Sequence, residues 1–231
     1  KNKAKNIYKP YIHNRLMKLP FVTGKLAISK DSFIYSKYKK KITNMHSDNI
    51  NHLLRYRNDS ILISKKTLNT DNPKLNCRIK GLSSYSPKRI ILYKNLTINK
   101  NSYIFKSSNN KNTIIIYNKA QQKLIKQCIK KGIKLIKLDI DKSGFFNLIS
   151  VLNKIYLLGC RNLLVEGGKF LTNSFLKNKL FNQFYLFKSS DKLGSSGKLN
   201  VSSQLHQLNI KYKNKSNINS FTGNDIINIY S

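Results

Sequence analysis

Short apolar runs alternate with helical patterns through the middle of this 231-residue chain, and this alternation constrains its fold more than any other feature. Strands separated by helices need crossover connections, which favour a parallel sheet covered on both faces. The sequence therefore predicts an α/β fold. The predicted strands are 21–28, 60–64, 89–93, 113–117, 133–138, 162–165 and 183–187, and the predicted helices are 44–56, 119–131, 145–158 and 170–179.

The C-terminal part of the chain has a different pattern. Residues 205–212 and 226–230 both resemble strands, with no helical pattern between them. This arrangement predicts an antiparallel edge on the sheet. Residues 35–41 and 67–78 are interpreted as loops, the first rich in lysine. Residues 1–18 are interpreted as a basic linker or arm, and residues 19–231 as one domain.

The formal net charge is +35, from 44 Lys plus Arg against nine Asp plus Glu. Such a charge suggests nucleic-acid binding. However, the excess is mostly lysine spread along the whole chain, and arginine, which makes bidentate contacts, is rare. A solvated basic surface without a specific nucleic-acid partner is therefore favoured over an RNA-binding module. No apolar run is long enough to cross a membrane, and three unevenly spaced cysteines indicate reduced thiols in a cytoplasmic protein.

Glu166 is the only glutamate in the chain, and it stands between the apolar run Leu163–Val165 and the pair Gly167-Gly168. A carboxylate at a strand end, followed by glycines that open a helix, is how many α/β proteins hold ligands that carry phosphate. The alternative is an ordinary Gly-Gly turn. The scarcity of acidic residues favours a functional role for Glu166.

Two further segments are candidates for chemistry. Residues 67–78 offer a hydroxyl, a carboxylate and a guanidinium in Thr67, Asp71 and Arg78, although an Asp-Asn-Pro turn with a solvated arginine explains the pattern as well. Lys25, near Asp31, lies inside an apolar strand, where a lysine costs free energy unless it faces a ligand or a partner. An edge position for Lys25 is the alternative. The four histidines show no metal-ligand spacing.

Taken in order, these segments resemble the reductase domain of the bifunctional riboflavin-biosynthesis deaminase–reductase. The resemblance covers nearly all of the chain from Pro20. The zinc-deaminase motifs of that family are absent. The matching segments are Pro20–Thr23, Lys25–Asp31, His52–Arg55, Asp59–Ile63, Thr67–Arg78, Pro87–Leu92, Asn162–Gly168 and Gly223–Asp225.

The resemblance implies a three-layer fold like that of dihydrofolate reductase and NADPH-dependent reduction of 5-amino-6-(5-phosphoribosylamino)uracil. It also implies a phosphorylated pyrimidine as the substrate and makes a homodimer plausible. Lys25 and Glu166 would be catalytic, and Leu75, Arg78 and Glu166 would contact the substrate. By the same match, the cofactor contacts would be Ala27, Thr67, Asp71, Gly168, Lys169, Phe170, Leu171, Thr172, Asn173 and Ser174.

The chain departs from the family pattern around the expected substrate phosphate. Asp48 aligns with an arginine that binds substrate, and the loop before it is remade as a lysine-rich segment. Lysines 37, 39, 40 and 41 could replace the lost positive charge. Two alternatives therefore stay open: a related enzyme with another substrate, and a pseudoenzyme.

Overall fold

The computed structural model describes residues 2–38, 41–109, 112–218 and 221–231, with the side chains of residues 2–6 omitted. Two short 3-10 turns occur at Ser83–Tyr85 and Gly194–Ser196. The helices are α1 Asn2–Met17, α2 Met45–Tyr56, α3 Lys65–Asp71, α4 Tyr103–Lys106, α5 Gln122–Lys130, α6 Leu148–Leu157, α7 Lys169–Lys177 and α8 Ser202–Lys211. The strands are β1 Phe21–Ile28, β2 Phe33–Ser36, β3 Ser60–Ser64, β4 Lys88–Asn95, β5 Thr113–Lys119, β6 Lys134–Lys137, β7 Asn162–Val165, β8 Gln183–Lys188, β9 Gly197–Asn200, β10 Lys215–Ile218 and β11 Ile226–Tyr230.

Nine of the described strands form one sheet in the order β10-β11-β8-β1-β7-β3-β4-β5-β6. The pairs from β8 to β6 are all parallel, whereas β11 is antiparallel to both β8 and β10. Strands β2 and β9 form a separate antiparallel pair. The predicted α/β fold, with a mostly parallel sheet and an antiparallel edge formed by C-terminal strands, is confirmed.

Alternate side chains along each strand enter two hydrophobic clusters, one on each face of the sheet. Helices α6, α7 and α8 cover one face, and α2, α3, α4 and α5 cover the other. In β3, for example, Leu62 faces the first cluster, while Ile61 and Ile63 face the second. Burial on both faces explains why the central strands are continuously apolar. The result is three layers, as predicted.

The predicted strand at 205–212 is wrong, because this segment belongs to helix α8. Leu208, Ile210 and Tyr212 do stand two residues apart, as on one face of a strand. However, the buried side chains are Gln204 and Leu208 of α8 and Val201 just before it, and these three have helical spacing. Ile210 is 65% exposed. Packing against α7 therefore outweighs the local alternation: the Gln204 amide donates to Asn173 Oδ1 at 3.3 Å.

Three other segments are more ordered than the sequence indicates. Residues 67–71, the start of the expected loop at 67–78, belong to α3, because Ser64 caps the helix by accepting from Thr67 N–H at 3.4 Å. The arm at 1–18 contains helix α1, and the lysine-rich loop begins with strand β2. Within the described residues no helix is both long enough and apolar enough to span a bilayer.

Candidate active site

The carboxyl ends of β1, β7 and β3 meet at one edge of the sheet. In the pairing register, Gly24 lies beside Val165, and Val165 lies beside Leu62. Lys25, which follows Gly24, and Glu166, which follows Val165, therefore lie on neighbouring strands. The main-chain N–H of Glu166 donates to the Leu62 carbonyl at 3.1 Å. The carboxyl edge of a parallel sheet is the usual ligand position in open α/β folds.

Glu166 is held by a bidentate ion pair with Arg55, which projects from α2. Arg55 Nε donates to Oε1 at 2.9 Å, and the Nη2 group donates to Oε2 at 2.8 Å. A third guanidinium donor reaches the Asn76 carbonyl at 3.3 Å. Both side chains are largely buried, with relative exposures of 9% for Arg55 and 12% for Glu166. The fork geometry fixes the carboxylate plane and leaves other lone pairs free to accept from a ligand.

Burial and nearby charges act in opposite directions on these groups. Burial by itself would raise the pKa of Glu166, but the Arg55 guanidinium, with help from Lys25, holds it below its ordinary value. The pKa of Lys25 is lowered by burial, and the Glu166 charge offsets only part of that effect. Glu166 is therefore an anion at neutral pH, whereas the Lys25 ammonium releases its proton more readily than an exposed lysine does.

Lys25 and Ala27 project from β1 toward the face that α2 covers. Lys25 Nζ lies 4.9 Å from the centre of the Phe187 ring and has no hydrogen-bond or ion-pair partner within the described part of the chain. Both residues are only partly buried. Lys25 therefore keeps all three of its N–H donors available to a ligand beside Glu166.

The turn after Glu166 is built for close approach of a ligand to the backbone. Helix α7 begins after Gly168, and no side chain caps it. A Cβ on Gly167 would lie 2.6 Å from Leu171 Cβ, whereas a Cβ on Gly168 would meet only Thr67 Oγ1, at 3.8 Å. Gly168 N–H donates weakly to that Thr67 hydroxyl at 3.4 Å. The first N–H groups of α7 thus have no side-chain cap, an arrangement that favours an anion.

One of the two lysines at the start of α3 contacts this turn. Lys66 Nζ lies 4.6 Å from the centre of the Phe170 ring, and Lys65 Nζ donates to Thr97 Oγ1 at 3.1 Å. The Lys66 contact places positive charge beside the first turn of α7, whereas Lys65 is directed toward Thr97. The predicted cofactor residues Thr67, Gly168 and Phe170 are therefore brought together.

The rest of the predicted cofactor segment is divided by burial. Leu171 and Thr172 are buried, and Thr172 Oγ1 donates to the Gly167 carbonyl at 3.0 Å. Asn173 accepts from Gln204, and Ser174 Oγ donates to the Phe170 carbonyl at 3.0 Å. Lys169 is partly exposed at the first position of the helix. Within this segment, Gly168, Lys169 and Phe170 are therefore best placed to touch a ligand, and the later residues shape the helix.

The predicted substrate residues are arranged less uniformly. Arg78 is exposed, donates to Asn76 Oδ1 at 3.1 Å, and lies beside His52, whose Nδ1 accepts from Arg78 N–H at 3.3 Å. Burial and then the charges of Arg55 and Arg78 lower the pKa of His52 to about 4. The Leu75 side chain is buried in the core, with a left-handed backbone (φ 55°). A ligand contact at Leu75 would therefore use its main chain. Asp71 is exposed at the end of α3.

Asp48 and Asp31 both have structural partners. Asp48 forms an ion pair with Lys41. Lys37 lies over the Tyr38 ring, and the predicted contributions of residues 39 and 40 fall outside the described residues. Asp31 accepts from the Ser29 hydroxyl at 2.6 Å and from Gly194 N–H at 2.8 Å. Asp31 therefore organises a turn.

Arg55 is the functional candidate that sequence reasoning missed. It stands seven residues after Asp48, so the two side chains share one face of α2. The available signal was the pairing problem of a single buried glutamate, which requires a cation. The histidines, cysteines and carboxylates of the described residues form no group of three or more that could hold a metal ion.

The sequence is similar to those of known proteins. The model of the family described as the RibD C-terminal domain matches residues 20–221. The riboflavin biosynthesis protein RibD of Aquifex aeolicus is 29% identical over 213 residues, covering 90% of this chain and 56% of that protein. The 2,5-diamino-6-ribosylamino-4(3H)-pyrimidinone 5′-phosphate reductase of Debaryomyces hansenii is 30% identical over 172 residues, covering 68% of this chain and 69% of that protein.

Similarity to solved structures supports the fold. The deaminase/5-amino-6-(5-phosphoribosylamino)uracil reductase of Thermotoga maritima superposes with a TM-score of 0.73 at 22% identity, covering 99% of this chain and 61% of that one. The chain spans little more than half the length of the Aquifex relative. Because the family model matches most of its residues, this chain belongs to the RibD C-terminal domain family.

Proposed function

We propose that this chain is a reductase of riboflavin biosynthesis that uses NADPH to reduce a phosphorylated ribosylaminopyrimidine. The observation that carries the proposal is an ionised Glu166, fixed by Arg55 beside Lys25 and next to an uncapped helix N-terminus. In this proposal residues 19–231 form the reductase domain and residues 1–18 the preceding linker. The three buried, unpaired cysteines are consistent with a cytosolic location.

The residues at the edge of the sheet fit a nicotinamide dinucleotide. The uncapped N–H groups of α7 suit its pyrophosphate, and Lys66, over the Phe170 ring, adds positive charge nearby. Gly168 leaves room for the phosphate to approach the backbone, and Thr67 offers a hydroxyl. The small side chain of Ala27 suits the nicotinamide ring beside Lys25. When bound, NADPH supplies the hydride that reduces the sugar at C1′.

The protein residues have separate roles in this proposal. Arg55 keeps Glu166 ionised and oriented, so that the carboxylate accepts hydrogen bonds from ribose hydroxyls or a ring N–H. Lys25, whose pKa burial lowers, donates the proton that the ribose ring oxygen takes up when its bond to C1′ breaks. Arg78 is exposed, and its guanidinium group suits a phosphate or a pyrimidine carbonyl of the substrate.

Two related substrates are candidates. The family resemblance indicates 5-amino-6-(5-phosphoribosylamino)uracil. The match to the Debaryomyces relative covers a larger share of that protein than the match to the Aquifex relative does. The Debaryomyces protein is named for the diaminopyrimidinone that still carries the 2-amino group. The two compounds differ at pyrimidine C2, so a direct comparison of turnover identifies which one the site accepts.

The test is an assay of NADPH oxidation with each of the two substrates, in which the loss of absorbance of the reduced nicotinamide is monitored. We expect turnover with one of them and a fall in kcat of about 100-fold or more in Glu166→Gln, since the amide cannot replace the anionic acceptor. Lys177→Gln, an exposed change far along α7, is the control. Bound NADPH without turnover of either substrate would contradict the proposal and favour a pseudoenzyme or a different substrate.

A further inference from the structure

A cavity lies on the opposite side of the sheet from the candidate active site, at the end where the parallel strands begin. It has a volume of about 870 Å³ and is lined by Phe21 and Thr23 of β1, Asn162 of β7 and Gln183 of β8, together with residues of α1 and the end of α2. The predicted catalytic residues Lys25 and Glu166 are not among its lining residues. This volume is in the range of small-molecule sites.

Arginines are concentrated at this cavity. Only six of the 44 Lys plus Arg residues in the chain are arginines. Three of these six, Arg15, Arg57 and Arg161, line the cavity, and no lysine is among its lining residues. No carboxylate is among its lining residues. Asp59, which precedes β3, instead accepts from the main-chain N–H groups of Arg161 and Asn162, at 2.5 and 2.8 Å. The cavity therefore has a positive lining that differs from the diffuse lysine surface of the molecule.

The guanidinium groups have donors to spare. Arg161 stacks on the Tyr156 ring at 3.9 Å and donates to the Tyr156 carbonyl at 2.7 Å, which orients its planar fork and leaves other N–H groups free. Arg15 and Arg57 are exposed, and their side chains make no hydrogen bond or ion pair within the described residues. Arg57 acts electrostatically on the Tyr185 hydroxyl, which also lines the cavity. Guanidinium groups of this kind suit phosphate.

An unsatisfied polar atom provides independent evidence for a ligand. Asn14 is only 6% exposed and lines the cavity from α1. Its Nδ2 donates to the Pro10 carbonyl at 2.5 Å, but its Oδ1 has no hydrogen-bond partner. A buried carbonyl oxygen without a donor is costly, and buried polar groups in native proteins almost always have a partner. The missing partner is a hydrogen-bond donor.

We propose that this cavity binds a small phosphorylated compound that also carries a hydroxyl group. The three arginines would hold the phosphate, and the hydroxyl would donate to Asn14 Oδ1. The aromatic rings of Phe21, Tyr156 and Tyr185 form its apolar walls. A concave site with a buried acceptor favours a small ligand over a polyanion such as RNA, which needs an extended basic groove. The site is separate from the proposed NADPH and pyrimidine site, so it does not depend on that assignment.

The experiment is a titration of ¹⁵N-labelled protein with glycerol 3-phosphate and with inorganic phosphate, followed by amide chemical shifts. We expect saturable shifts at Thr23, Asn58 and Gln183, with glycerol 3-phosphate binding about tenfold more tightly than inorganic phosphate, because only it has alcohol hydroxyls that can reach Asn14 Oδ1 while the arginines hold its phosphate. The shifts should persist with NADPH present in saturating amounts.

Three variants locate the binding. Arg15→Gln combined with Arg57→Gln removes two exposed guanidiniums and should weaken both ligands by about tenfold or more. Lys126→Gln combined with Lys130→Gln, on the exposed side of α5, makes the same charge change and should have no effect. Asn14→Leu should abolish the preference for glycerol 3-phosphate and leave phosphate binding intact. Equal losses in the arginine and lysine pairs, or no saturable shifts in the wild type, would overturn the proposal.

Discussion

At the residue scale, the molecule depends on one buried ion pair. Arg55 and Glu166 are 111 positions apart in sequence and meet in a bidentate contact that closes α2 onto the end of β7. Such a pair adds little net stability by itself, but a buried charge left alone is expensive. In the proposed function, its main role is to fix a carboxylate at the centre of the candidate site.

We therefore expect Arg55→Leu to destabilise the fold by about 3–5 kcal/mol, because it leaves an uncompensated buried carboxylate. The double variant Arg55→Leu/Glu166→Leu should recover most of this loss while remaining inactive. Urea unfolding of the wild type, both single variants and the double variant measures the coupling. Additive effects of the two single changes would show that the pair is not coupled.

The site could be predicted at this scale only in part. Glu166 stood out because it is the only glutamate and precedes a Gly-Gly turn, and Lys25 stood out as a lysine in an apolar strand. Arg55 could not be assigned, since nothing local in His52–Arg55 shows which side of α2 faces the sheet. The burial of the Leu75 side chain was equally inaccessible, because it depends on the path of the chain after α3.

At the scale of single elements, turns and caps decide the geometry of the site. The Asp31 carboxylate, in the turn between β1 and β2, accepts hydrogen bonds from the main-chain N–H groups of residues 193 and 194. These hydrogen bonds fix the path of the chain from β1 to β2. The turn before α7 also depends on close contacts, because its two glycines have different surroundings: Gly167 packs against Leu171, whereas Gly168 has only the Thr67 hydroxyl nearby.

The Asp31 turn makes the stability depend on pH. Hydrogen bonds from the Ser29 hydroxyl and then from Leu193 N–H lower the pKa of Asp31 from 3.8 to about 2. The carboxylate therefore contributes stability that is complete above pH 3.8 and is lost as the pH falls through about 2. Asp31→Asn should be less stable than the wild type at neutral pH, and the difference should shrink across that window. A difference in thermal midpoint that is independent of pH would contradict this account.

The glycine pair yields a matched comparison. Gly167→Ala would place a methyl group 2.6 Å from Leu171 Cβ, so we expect a loss of about 1–3 kcal/mol and a displaced start of α7. Gly168→Ala meets only Thr67 Oγ1 at 3.8 Å, so the fold should tolerate it, while the methyl group narrows the approach to the helix N-terminus. Chemical denaturation and NADPH titration of both variants separate these effects. Equal stability of the two variants would contradict the packing argument.

Helix α8 shows why one element was assigned wrongly. Leu208, Ile210 and Tyr212 stand two residues apart, as on one face of a strand, but Leu208 is buried whereas Ile210 is exposed. Only the packing of the helix shows that Val201, Gln204 and Leu208 form the buried stripe. We expect Leu208→Ala to cost about 2–5 kcal/mol, whereas Ile210→Ala, at an exposed position, should stay within about 0.5 kcal/mol. Comparable losses at both positions in urea unfolding would contradict the helical assignment.

At the scale of the whole molecule, the strand–helix alternation was sufficient to predict an α/β sheet covered by helices on both faces. The C-terminal pattern predicted the antiparallel edge, although one of the two strands expected there is helix α8. The order of the strands could not be obtained in this way, because β7 inserts between β1 and β3 although it lies nearly 100 residues after β3. That insertion brings Glu166 next to Lys25 and creates the site. The cavity at the opposite edge also depends on this topology, since it joins α1 to the starts of three strands.

The most direct test of the central claim is hydride transfer from NADPH deuterated at the transferred position of nicotinamide C4. With the accepted ribosylaminopyrimidine phosphate, mass spectrometry should find a single deuterium in the ribityl chain of the product, at the carbon that was C1′. Lys25→Met should form this product much more slowly and with the same label position. A product without deuterium, or no product with either candidate substrate, would contradict the assignment of this chain as the reductase.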